Sequence, residues 1–166
     1  MKRIVGLGLM LAFTIVQVTW APHVAVAGAF PNLVLIAVVA ITWTYGVRAG
    51  LVWSCVGGVL LDLTASGAIG PHALALLVGA YATSLWARNL ERHNALHVAL
   101  TAALSTALYS VVLVVVDGLL GMPSPDPGMV FRVALAMAIY NALLTPLALE
   151  ALRRLGSFLR EAPQIS

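Results

Sequence analysis

Three roles suit a carboxylate at the end of an apolar run: capping backbone N–H groups, contacting a ligand or partner, and moving a proton. Asp62 closes such a run, with Thr64, Ser66 and His72 as its polar neighbours in sequence. Capping of the turn 62–70 is the first reading, because proton chemistry needs a second positioned acid or base and none lies within sequence reach. Asp117 and Asp126 fall in or beside a segment carrying Pro123, Pro125 and Pro127. They therefore form no intramembrane acid pair with Asp62.

The residues leading to Asp62 are small. Gly46, Gly50, Ser54, Gly58 and Asp62 recur every four positions, with Gly57 beside the row. On a helix this spacing makes a stripe without bulk, which lets a neighbouring backbone approach closely. Two readings stay open and can coexist. The stripe packs inside its own bundle, or Gly50, Ser54, Gly57, Gly58 and Asp62 line a groove for a partner helix or a lipid. Gly67, Gly70 and His72 are the candidates in the turn that follows.

The other polar residues point to packing. His93 and His97 are spaced i, i+4, yet no Cys or carboxylate with ligand spacing accompanies them, so they predict no metal site. Thr101, Ser105 and Tyr109 form an i, i+4 row, and Asn141 and Thr145 precede Pro146. Hydrogen bonds between helices account for both sets, with Pro146 expected to kink its helix. HExxH, GxSxG and P-loop motifs are absent, as is any cofactor signature. The single cysteine, Cys55, provides no disulfide framework.

The elements that must hold these residues are membrane spans. Of 166 residues, 61% are hydrophobic and 9% charged, and mean hydropathy is +1.01. An ordinary soluble domain carries roughly a quarter charged residues. Charge-free stretches predict an all-α integral membrane protein, a single bundle over 1–166 with helices at about 4–21, 31–45, 49–62, 71–87, 95–116 and 130–149. The small-residue sites Ala25-Val26-Ala27 and Ala27-Gly28-Ala29 offer a rival reading of the first helix as a cleaved signal peptide. Its apolar run is longer than the usual h-region.

Six spans put both termini on one side. Eight of the nine Lys and Arg residues then share that side (Lys2, Arg3, Arg48, Arg88, Arg92, Arg153, Arg154 and Arg160), and only Arg132 lies opposite. The positive-inside rule makes that side the cytoplasm. A net charge of +3 concentrated at span ends, without interleaved aromatics, predicts no nucleic-acid partner.

Pro31-Asn32-Leu33, then Gly46-Val47-Arg48-Ala49-Gly50, then Gly57-Gly58-Val59-Leu60-Leu61-Asp62-Leu63, then Gly67-Ala68-Ile69-Gly70, resemble the MreD family of bacterial rod-shape-determining proteins. Length and six-span layout are also similar, while Asn32 stands where an Asp is frequent. The resemblance implies a non-enzymatic scaffold of the elongasome in the bacterial cytoplasmic (inner) membrane. It would bind MreC and, through it, support RodA, a class B penicillin-binding protein and the MreB filament, with membrane lipids around it. The family also resembles in fold the substrate-capturing subunits of ECF-type transporters, which supplies the alternative of small-molecule capture near the outer loops. Trp20, Trp43, Trp53 and Trp86 are spread along separate helices and mark no such pocket.

Overall fold

The computed structural model of the chain describes residues 2–20, 23, 28–65, 67–90, 94–123 and 126–161, with side chains described within 6–154 of these. Six helices follow in order: α1 (Lys2–Thr19), α2 (Leu33–Tyr45), α3 (Val47–Thr64), α4 (Pro71–Asn89), α5 (Ala95–Leu119) and α6 (Pro127–Glu161). Three of them contain segments long and apolar enough to cross a membrane: Val47–Thr64, Ala95–Leu119 and Pro127–Arg154.

α2 is the axis of the bundle. Its sequence LVLIAVVAITWTY is apolar on every side, and nine of its thirteen residues are buried, as expected of a helix with no face to offer a polar solvent. α2 touches all five other helices, and around it α1, α3, α4, α5 and α6 follow one another as neighbours. The ring is open, because α1 meets only α2 and α3 among the described residues.

The outer surface is apolar as well. Leu96, Leu100 and Leu104 on α5, and Phe131, Leu135, Ile139, Leu143 and Leu147 on α6, form exposed stripes at i, i+4 spacing. Meanwhile Thr42, Ser54, Thr83, Ser105, Thr106 and Asn141 are buried. This inversion of the soluble pattern suits a hydrocarbon solvent, where polar groups find their partners inside the protein.

Helix ends differ from the sequence expectation for local reasons. α2 starts at Leu33 rather than Pro31, since the Asn32 side chain takes the N-cap and accepts from Leu35 N at 2.9 Å. α3 starts directly after Gly46, whose φ of +87° lets one residue reverse the chain between α2 and α3. It runs past Asp62 to Thr64, so the carboxylate lies in its last turn. α5 continues through Asp117, because the first proline of the connection comes only at Pro123. α6 begins at Pro127, a residue suited to the first turn, where Asp126 Oδ2 accepts from Met129 N at 2.9 Å. It continues through Pro146 to Glu161, 35 residues in all. At 1.5 Å per residue that is about 52 Å, longer than a hydrocarbon core of about 30 Å. Proline there removes one N–H from the ladder without ending the helix.

Candidate functional site

The α3–α4 junction gathers most of the residues that the sequence singles out. Asp62 is 1% exposed. Its Oδ2 accepts from Gly70 N at 2.9 Å and Ala73 N at 3.2 Å, and its Oδ1 accepts from His72 N at 2.9 Å. The His72 ring adds a fourth contact, Nδ1 to Oδ1 at 2.9 Å. A carboxylate on the last turn of α3 thus caps the first turn of α4. Gly70 has no side chain to cap with, and Pro71 at the start of α4 lacks an N–H. The remaining N–H groups and the positive end of the helix dipole converge on one negative charge. Both carboxylate oxygens are committed to holding this corner shut.

The small-residue stripe makes that corner reachable. A Cβ on Gly58 would lie 2.7 Å from Ala73 N and 2.8 Å from Ala73 Cβ, so α4 begins directly on the α3 backbone. A Cβ on Gly57 would meet Val34 Cγ1 at 2.6 Å, and one on Gly50 would meet Thr42 Cβ at 2.9 Å. The Ser54 hydroxyl lies 2.8 Å from Gly50 O and 3.2 Å from Leu76 O. Gly50, Ser54, Gly57, Gly58 and Asp62 are all buried against α2 or α4, with Met10 of α1 adding a contact at Gly57, whereas Gly46 stays open at the turn. Of the turn candidates, Gly70 (φ +129°) and His72 bind Asp62, whereas Gly67 is exposed beside Met122.

A second polar cluster sits where α2 begins, and three helices supply it. Asn141 of α6 accepts from Asn32 N at 3.0 Å through Oδ1 and donates through Nδ2 to Thr106 Oγ1 of α5 at 2.9 Å. Gln17 of α1 accepts from Val34 N at 3.0 Å. Together with the Asn32 cap, these side chains satisfy three N–H groups at a buried helix start that water does not reach. Tyr109, 3% exposed, lies beside the Asn32 side chain, and its ring lies 6.3 Å from that of His72. Asp62, His72, Tyr109, Asn32, Asn141 and Thr106 therefore form one chain of contacts across α3, α4, α5, the α2 cap and α6.

The polar rows on α5 and α6 divide. Ser105 bonds Thr83 of α4 at 2.8 Å, an interhelical contact as expected. Thr145 instead bonds its own helix at Asn141 O, 2.6 Å away. Thr101 Oγ1 and His97 Nδ1 are buried without a hydrogen-bond partner. His93, Arg92, Ser66 and the 25–27 segment lie outside the described residues. Among the described residues no group of three or more His, Cys, Asp or Glu side chains is placed to hold a metal. Gln17 and Thr106 carry no signal in periodicity. A lone amide in helix one was the only sequence clue to the first.

Asn141→Leu is expected to lower the stability of the detergent-solubilised protein by about 1 to 3 kcal/mol, because it strands the Asn32 N–H in an apolar interior and removes the amide that Thr106 Oγ1 accepts from, leaving Thr106 only its bond to Ala102 O. Thermal unfolding followed by tryptophan fluorescence measures it. An unchanged midpoint would mean that the cluster adds nothing to folding.

The sequence family described as rod shape-determining protein MreD matches residues 2–153, nearly the whole chain. The chain belongs to the MreD family. No curated protein and no solved structure matches it. MreD proteins are membrane proteins that act in rod-shape determination as part of the Mre system, and the family is a structural one rather than a known enzyme family. The match extends well beyond the Pro31–Gly70 stretch that carries the motif resemblance, and takes in Asn141 and most of α6. In this MreD chain the motif residues Gly58, Gly70 and Asp62 serve the joint between α3 and α4, while Gly50 and Gly57 seat α3 on α2.

Proposed function

We propose that this chain is a multi-pass scaffold of the bacterial inner membrane, crossing six times with both termini in the cytoplasm. It binds MreC and through it supports RodA, the class B penicillin-binding protein and MreB during peptidoglycan synthesis in cell elongation. The family match over 2–153 carries this reading. Two features support it. The polar side chains described in the interior are mostly engaged in holding helices together, as a rigid platform requires, and eight of the nine basic residues fall on one side of a six-span arrangement. The α3–α4 corner and the small residues Gly50, Ser54, Gly57 and Gly58 then act on partners through the shape they give the bundle.

Co-purification of the full chain from native membranes tests the assignment. Retention of MreC supports it, and retention of an ATPase-linked transport module in its place overturns it in favour of small-molecule capture. Topology is checked separately by cysteine labelling of Leu90→Cys and Pro123→Cys in a Cys55→Ser background. In intact cells an impermeant maleimide should label position 123 and leave position 90 untouched. Labelling at 90 would overturn the arrangement of spans.

A further inference from the structure

The gap between α1 and α6 is a groove of about 490 Å³. Its floor is α2, through Ile36, Ala37, Ala40 and Ile41, and one wall is Leu9 and Phe13 of α1. The other wall is a single stripe of α6, Leu144, Leu147, Ala148, Ala151 and Leu152. Every lining side chain is apolar, so the occupant is hydrocarbon.

Length selects between the hydrocarbon groups a membrane offers. From Leu144 to Leu152, as from Leu33 to Ile41, a helix rises about 12 Å. A crossing helix needs a track through about 30 Å of hydrocarbon core, whereas a lipid tail occupies one leaflet, about half of that. Charge selects the headgroup. Arg153 and Arg154 follow the last lining residue on α6, at the end of the bundle where α2 finishes and Arg48 opens α3. Among the described residues, the carboxylate in the same turns of α6 is Glu150, exposed and paired with Arg154 at 2.8 Å. Basic residues at the mouth of a groove between transmembrane helices attract anionic headgroups.

We propose that this groove binds one tail of an anionic phospholipid, with the headgroup at Arg153 and Arg154. The lipid closes the ring of helices between α1 and α6 and fixes how α1 sits on α2.

Native mass spectrometry of the full chain in detergent, with phosphatidylglycerol and phosphatidylcholine of identical tails, tests this. One retained phosphatidylglycerol is expected, favoured by about tenfold over phosphatidylcholine. Ala148→Phe, which fills the groove, should lower retention by a similar factor, and Leu147→Trp at the exposed rim should do so even if the first variant folds poorly. Arg153→Gln with Arg154→Gln should remove the preference for phosphatidylglycerol. Equal retention of the two lipids by the unaltered chain, or retention indifferent to both groove substitutions, overturns the proposal. Benzoylphenylalanine at position 147, photolysed in native membranes, should give a lipid adduct. A protein adduct there would assign the groove to a partner helix and overturn it too.

Discussion

Gly58→Leu is expected to unseat α4 from α3 and to lower membrane-extracted yield severely, while Val59→Leu one residue on leaves yield and thermal midpoint nearly unchanged. The two residues differ in what lies above them. At Gly58 even a methyl group would enter the space of the Ala73 backbone, with 2.7 Å to its nitrogen, and a backbone cannot rotate aside as a side chain does. Val59 is 42% exposed and faces outward. Overpacking a dense interior typically costs about 1 to 3 kcal/mol and more where backbone must shift. The Gly58 variant should lie at or above that range, because separating Ala73 from α3 also lengthens the four contacts that Asp62 makes with residues 70–73. Yield and unfolding temperature in detergent, measured side by side, decide the matter. If both variants behave alike, the close approach contributes nothing to the fold. Normal yield with loss of MreC on purification would instead assign the stripe to association.

Asp62→Ala is expected to be the second most damaging single change, destabilising the purified protein by about 2 to 3 kcal/mol, the scale of losing hydrogen bonds to a charged group. Asp62→Asn should fall between alanine and the native residue. Its side chain has one acceptor oxygen, and its NH2 would face backbone donors that carboxylate oxygens now accept. An amide can therefore keep the Gly70 and Ala73 pair or the His72 pair, not both. Thermal midpoints for the three proteins, together with cell shape in a depletion strain, separate stability from function. An Asp62→Asn protein as stable as the native one that fails to restore rod shape would show that the charge itself acts beyond capping. Equal midpoints for all three would remove the cap from the account of the fold.

The sequence by itself determined the solvent and the helices. Apolar runs of span length and the scarcity of charge admit only a lipid-facing helical protein, and that reading is local because hydrophobicity is a property of each segment alone. The stripe Gly46, Gly50, Ser54, Gly58, Asp62 was legible for the same reason, since period four on a helix defines a face without knowledge of what covers it. Which neighbour covers it was not legible. Gly58 against Ala73, and Asp62 across to the N–H groups of α4, depend on how two helices cross, and that angle is set by all their contacts at once. Asn141, Gln17 and Asn32 show the same limit more strongly. Asn32 and Asn141, joined by a hydrogen bond, stand 109 positions apart, and nothing in the spacing of the three pairs them. Only the tertiary structure brings them together, because the buried start of α2 has donors that no water can reach and that must be met by whichever helices lie beside it.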